Sequence, residues 1–203
     1  MTSTKHERRR LTAKGEQTRR RIVAAAADLM YQRGITEATL EEVRAAAGVS
    51  GSQIYHYFAD KQALLLAVIE YQTEAVLEIQ QPHLGRLDTV ARLRRWRNAL
   101  VDYQRRLQCR GGCPIGSLGS EVAENNPEAR LAVASGFQRW EGAIRDGLRA
   151  MHGRGELDGD PDELALALLA ALQGGLLLTQ LQRRVAPLEA ALDAMIDHIA
   201  SLT

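Results

Sequence analysis

Apolar residues recur along most of this chain at the three-to-four-residue spacing of a helix face. Ile22, Ala25, Ala26, Leu29 and Met30 stand at i, i+3, i+4, i+7 and i+8, and the pattern ends at Arg33-Gly34. From Asp60, the positions Leu64, Val68, Tyr71, Gln72, Ala75, Val76 and Ile79 keep one face to about Gln81, where Pro82 ends it. Further helices are expected from Asp88 to about Leu107, from Pro114 to about Glu124, and from Asn126-Pro127 to Met151. Asp160-Pro161-Asp162-Glu163 combines a cap, a first-turn proline and an N3 carboxylate, the strongest start signal in the chain. Pro187 opens the last helix, with Leu188, Ala191, Leu192, Met195, Ile196 and Ile199 in register. Strand signals are nearly absent: aromatic content is 4%, β-branched runs are missing, and Ala and Leu dominate. The expected fold is all-α.

Two short elements interrupt this regular pattern. Thr39 and Glu42 have the spacing of a capping box that starts a helix over Thr39–Ala47, and Gly48 supplies a positive-φ stop. Val49 can plug between two helices, and Ser50 then caps a second, very short helix through Phe58, with Gln53 at N3 as its possible return partner. Two short helices joined at Gly48 form a helix-turn-helix. Gly51 and Ser52 are small, so the start of the second helix can approach a base edge or phosphate closely. Gln53 has two readings, adenine recognition through its amide or completion of the cap. Tyr55, Tyr57 and Phe58 cannot all face outward on so short a helix; Phe58 is expected in the core, and Tyr57 fits either face.

Residues from about Thr18 to Lys61 resemble the DNA-binding domain of the TetR family of bacterial transcriptional regulators: a first helix ending at Arg33-Gly34, the two short helices, then Asp60-Lys61 opening a fourth. The resemblance implies phosphate contacts by Tyr55, His56 and Lys61, and a backbone contact at Thr39. Arg44 stands where that family usually has a small residue and can add a phosphate contact. Gly51 stands where a basic residue or proline is common, which can shift base preference. Ser50, Ser52, Gln53 and Tyr57 complete the expected DNA-facing set.

Charge supports this reading only once the chain is divided. The whole is nearly neutral, with 26 basic and 25 acidic side chains, but residues 1–63 hold 11 basic against 7 acidic, net +4, leaving −3 for the remainder. The arm Lys5, Arg8, Arg9, Arg10 and Lys14, followed by Arg19-Arg20-Arg21, reads either as a phosphate-tracking arm or as a solvated tail, with backbone contact favoured for Arg19 to Arg21. The expected domains are 1–63, arm and helix-turn-helix, and 64–203, a helical effector-binding and dimerisation region.

At 203 residues and 45% hydrophobic content the chain can bury a substantial core beyond the DNA-binding part. From Leu164 to Gln182 no side chain is charged, which is nominally long enough to cross a membrane. Against that stand Gln173, Thr179, Gln180, Gln182, the Gly174-Gly175 pair and the lack of a signal-sequence or anchoring pattern, so no membrane association and a cytoplasmic location are expected. A helix apolar all round needs two covers. Its own subunit can supply one and a second subunit the other, so a homodimer through helices around 161–184 and 187–202 is expected, with Gly174-Gly175 allowing close approach across the interface. The TetR resemblance places its dimer interface there too, as one of architecture.

Trp96, Leu100, Tyr103, Cys113, Leu118, Phe137, Trp140, Ile144, Gln173 and Leu177 mark a region that is either plain core or the wall of a cavity for a small, largely uncharged effector. Cys109 and Cys113 are the two cysteines, too few and too sparsely accompanied for zinc; they can be structural thiols or a redox pair. No G-x-S-x-G, H-E-x-x-H or phosphate loop is present, so neither catalysis nor a cofactor is expected. Three function classes remain: a ligand-responsive dimeric repressor on a near-palindromic operator, a thiol-redox-sensing regulator, and a helical binding protein without DNA function.

Overall fold

A computed structural model describes residues 12–203. The basic residues Lys5, Arg8, Arg9 and Arg10 lie outside the described residues. The described chain is helical throughout and contains no strand, as the periodicity predicts. It forms two compact units whose boundary falls between Val68 and Ile69, inside helix α4 (Lys61–Glu78).

The first unit holds α1 (Ala13–Arg33), α2 (Leu40–Ala47), α3 (Gly51–Tyr57) and the start of α4. Thr12 caps α1 by accepting the Gly15 N–H at 3.2 Å, and Gly34 follows its last turn at φ 88°. The buried face of α1 is Ile22, Val23, Ala26, Ala27 and Met30, turned by one residue from the expected Ile22, Ala25, Ala26, Leu29 and Met30. The reason is local: an unbroken apolar run from Ile22 to Ala27 contains no polar residue to fix the helix rotation, so packing decides it. That face meets Val43 and Ala47 of α2, with Val49, Ile54, Phe58, Leu64 and Leu65 completing the core.

The second unit holds a 3₁₀ turn (Leu84–Arg86), α5 (Val90–Arg106), α6 (Pro114–Val122), α7 (Pro127–Gly153), α8 (Pro161–Gln182) and α9 (Ala186–Ser201). The helix expected from Asp88 starts two residues later, because Thr89 takes the cap and accepts the Arg92 N–H at 3.2 Å. Asn126 and Asp160 cap α7 and α8 as the sequence signals require, each ahead of a first-turn proline. The start of α9 has no capping side chain of its own. Fully buried Thr179, one helix away, accepts the Leu188 N–H at 3.2 Å and satisfies that orphan donor.

By length and mean hydropathy of 1.8, α8 is apolar enough to cross a membrane. In this fold one side of it is buried: Leu164, Ala165, Leu168, Leu169, Leu172, Gly175, Leu176 and Thr179 pack against α7 and α9, while Leu166, Leu177, Leu178 and Leu181 remain exposed. The glycine pair divides in a way the sequence does not reveal. A methyl on Gly175 would sit 3.0 Å from the Leu188 Cα, so this glycine permits the α8–α9 approach within one chain, whereas Gly174 is exposed and faces open space. Across α5 and α9 runs an antiparallel row of ion pairs. Arg94 meets Asp197 at 2.9 Å, Arg97 holds Asp193 through two bonds of 2.8 and 2.6 Å, and Arg105 meets Glu189 at 2.9 Å. Exposed pairs contribute little singly, but the two-pronged Arg97 pair, with the arginine side chain only 15% exposed, fixes the register of α9 on α5.

Helix α7 touches the Leu87 backbone at Gly147, where an added Cβ would stand 2.6 Å from a carbonyl carbon and oxygen. Because backbone cannot step aside as a flexible side chain does, Gly147→Ala is expected to destabilise the fold by about 2 kcal/mol or more. Gly153→Ala, with nothing within 4 Å, should leave it unchanged. Thermal denaturation of the two variants checks this; equal melting temperatures would refute the close approach.

Candidate nucleic-acid interface

Two locally encoded caps position the short helix that carries most of the expected DNA-facing residues. At α2, Thr39 Oγ1 accepts the Glu42 N–H at 3.2 Å while Glu42 accepts the Thr39 N–H at 3.1 Å, a complete capping box. Arg33, from the end of α1, adds a 2.6 Å bond to the same carboxylate. The Thr39 N–H, then its hydroxyl, with Arg33 beside them, hold the Glu42 carboxyl below the usual carboxylate range. The stabilisation is therefore present above the unfolded-state value and is lost as pH falls through the lower folded one. Gly48 ends α2 in the left-handed region at φ 61°. The box then repeats at α3: Ser50 Oγ accepts the Gln53 N–H at 3.2 Å and Gln53 Oε1 accepts the Ser50 N–H at 2.8 Å.

Side chains of α3 sort cleanly by face. Ile54 and, just past the last turn, Phe58 are buried, and the Arg19 guanidinium lies 5.2 Å from the centre of the Phe58 ring. Ser50, Ser52, Gln53, Tyr55 and His56 are exposed, Tyr55 by 62%. Tyr57 is half-buried and packs edge-on against His56, with ring centres 5.0 Å apart. Gly51 is half-buried, and a Cβ there would meet no atom within 4 Å, so nothing in this chain demands glycine at that position.

Beyond Ser50, which caps α3 and shares a 3.0 Å hydroxyl contact with Ser52, four more expected contact residues are already engaged within the chain. Gln53 plays the capping role at its oxygen, so a bidentate adenine contact requires the oxygen to be shared or the box to open. Arg44 holds Glu41 through its Nε at 2.9 Å and through a second guanidinium bond. Lys61 Nζ donates to the Thr36 carbonyl at 2.9 Å, tying the start of α4 to the loop between α1 and α2. The Thr39 hydroxyl donates to Glu42 at 2.9 Å. Arg20 and Arg21 are exposed on α1 and have no side-chain partner among the described residues. Non-local ties such as Lys61–Thr36 leave no mark in sequence spacing; the Glu41–Arg44 pair was legible as charges three apart on one helix.

In the second unit, Trp96, Leu100, Cys113, Leu118, Trp140 and Ile144 are buried, and Tyr103, Phe137 and Gln173 half-buried. Leu177 departs from the expectation: it is 55% exposed on the outward stripe of α8 and lines no interior. Polar anchors that the periodicity does not reveal also appear, foremost buried Gln80, which accepts the Trp96 indole N–H at 3.0 Å. Trp140 Nε1 and Gln173 Nε2 are buried donors with no hydrogen-bond partner, although the Gln173 side chain lies by the Cys113 thiol. Both cysteines are free and buried, and burial pushes the Cys113 thiol up, away from the reactive thiolate.

The arrangement of caps, left-handed Gly48 and a two-sided α3 is that of a helix-turn-helix, and comparison with known proteins decides its lineage. Residues 22–68 match the model described as bacterial regulatory proteins, tetR family, and residues 89–195 match the tetracyclin repressor-like C-terminal domain. The chain belongs to the TetR family. It is 30% identical over 186 residues to the transcriptional regulator AcuR of Cereibacter sphaeroides, covering 90% of this chain and 85% of that one. Among solved structures, a TetR regulator from Chloroflexus aurantiacus superposes with a TM-score of 0.79 at 30% identity, covering 93% of this chain and 97% of that one. The reduced form of Escherichia coli NemR superposes at 0.72 and 27%, covering 90% and 96%. As a TetR-family member the chain is a ligand-responsive, DNA-binding transcriptional regulator with an all-helical fold.

If Phe58 pins α3 and Tyr55 serves only the outside, Phe58→Ala should cost about 3–5 kcal/mol and Tyr55→Ala less than about 0.5 kcal/mol. Urea titration followed by circular dichroism separates them; a comparable loss in both would mean that Tyr55 also holds the fold.

Proposed function

We propose that this TetR-family protein is a cytoplasmic, dimeric repressor that reads a near-palindromic operator with α3 and is released from it by a small, largely uncharged effector. The observation that carries the reading is the split of α3: Ile54 and Phe58 are buried, while Ser52, Gln53, Tyr55 and His56 face outward with the small Gly51 at their head. Tyr55, His56 and Lys61 meet phosphates, with Thr39, Arg44 and Ser50 nearby on the backbone, and Gln53 and Tyr57 at the base edges. The match of residues 22–68 to the DNA-binding model of the family weighs against a binding protein without DNA function. The redox reading gains no support from two buried thiols.

One seven-residue helix makes too few base contacts for specificity, whereas two copies about a twofold axis read half-sites about one helical turn or more apart. The second copy is proposed to cover the exposed stripe Leu166, Ala170, Gly174, Leu177, Leu178 and Leu181 of α8, in which the four leucines are 46% to 69% exposed. The effector is proposed to lie among Trp140, Gln173 and the buried residues around them, where the Trp140 indole N–H is without a partner and the Gln173 amide has only the weakly accepting Cys113 thiol beside it, so both can donate to a carbonyl oxygen. Helix α4 belongs to both units and can carry the change between them, which shifts the population of DNA-competent forms.

Fluorescence anisotropy of the protein on its own upstream DNA over a salt series tests the DNA reading. Tight binding is expected, with a log–log salt slope of about −4 or steeper, lost in Gln53→Ala, Tyr55→Ala. Equal, weak binding by both proteins would refute it. Leu177→Glu is expected to turn the dimer into a folded monomer in analytical ultracentrifugation, and an unchanged sedimentation coefficient would remove α8 from the interface.

A further inference from the structure

Pro82, His83, Arg86, Arg92 and Arg95 line a solvent-open cleft of about 310 Å³ in the second unit. Helix α5 carries six arginines and a single acid, Asp102. Most of these arginines are accounted for. Arg94, Arg97 and Arg105 pair with α9, Arg106 stacks 5.8 Å from the Tyr103 ring centre, and Arg92 bonds Asp88, which Arg154 also approaches at 4.0 Å. Arg95 is left over, and so is Arg86 of the 3₁₀ turn: among the described residues neither side chain has a hydrogen-bond or carboxylate partner.

The charge at this spot is therefore concentrated. Of the three arginines that line the cleft, Arg92 pairs with Asp88, which leaves an excess of two positive charges there, on a part of the chain whose net charge is −3. Unpaired guanidinium groups gathered in a cleft match phosphate and carboxylate oxygens with paired donors. Two observations select between those. The excess of two matches a phosphate monoester, which carries about −1.5 to −2 near pH 7, better than a lone carboxylate or a phosphodiester. Apart from Pro82 the lining side chains are cationic or imidazole, so the polar groups at hand are donors, suited to the several oxygens of a phosphate.

We propose that this cleft binds the phosphate monoester group of a small molecule, at a site separate from the effector region around Trp140 and Gln173. No cleft residue belongs to that region. The site is coupled to the core: Trp96, next to Arg95, donates to Gln80 at 3.0 Å and so ties α5 to the segment that carries Pro82 and His83.

Isothermal titration of the full chain with phenyl phosphate, inorganic phosphate and benzoate, beside Arg86→Gln, Arg95→Gln, tests the proposal. Saturable binding of phenyl phosphate is expected, at least about tenfold weaker for benzoate and at least about tenfold weaker in the double variant. Because both arginines are exposed, the variant's melting temperature should not move. The proposal fails if phenyl phosphate gives no saturable heat up to about 10 mM, if benzoate binds as well, or if the double variant keeps the wild-type affinity. Binding of inorganic phosphate alone would mean a free-phosphate site and would overturn the ester. Loss of operator affinity in the double variant without any phenyl phosphate binding would assign these arginines to the DNA backbone instead, and the small-molecule site would be withdrawn.

Discussion

A helix of seven residues cannot hold itself together in water, since the cost of nucleating the first turn is recovered only over a dozen residues or more. Helix α3 exists because its surroundings supply what length does not. The Ser50–Gln53 box satisfies donors at its start, and the Phe58 N–H closes its last turn on the Ile54 carbonyl at 2.9 Å. Ile54 and Phe58 anchor one side in the core of the first unit. The rest of that unit follows from this constraint. Helix α1 must be long and apolar enough to receive those two side chains, α2 must stop abruptly at Gly48, and Arg19 must lie over the Phe58 ring rather than point freely into solvent.

The second unit solves a different problem, how to bury one helix that is apolar on every side. Helix α8 gives one side to α7 and α9, and the fit is made by Gly175 against Leu188 and by Thr179, which completes the uncapped start of α9. Polar contacts inside an apolar hairpin act mainly on register: a slip of one residue would strand both the Thr179 hydroxyl and the Leu188 N–H in the core. The arginine row of α5 fixes the other edge of α9 in the same manner.

What could be read from the sequence divides along the range of the interactions involved. Both capping boxes, the stop at Gly48 and the prolines at helix starts are contained within four residues, and the observed elements begin and end there or within a few residues. Rotation of a helix is a different matter. In α1 the run Ile22 to Ala27, and in α8 the run Leu176-Leu177-Leu178, contain no polar residue to mark the outer face, so Ala25 and Leu29 are only half-buried and Leu177 faces outward instead of into the interior. For the same reason adjacent Gly174 and Gly175 look equivalent in sequence yet lie about 100° apart around the helix, one open and one pressed on α9. Lys61–Thr36 and Thr179–Leu188 join residues on different elements, and no periodicity records them.

Gln53 shows how the local and the functional demands meet on one side chain. Its oxygen stabilises α3 by receiving the Ser50 N–H, while reading adenine in bidentate fashion would use that same oxygen together with the amide nitrogen. The carbonyl has two lone pairs, so the cap and a base donor can share it only if both approach near the amide plane. Opening the cap instead would cost up to about 1 kcal/mol and loosen the first turn, which carries Gly51 and Ser52. Any base contact proposed for Gln53 is thus coupled to the stability of α3, because the same oxygen completes the cap of that helix.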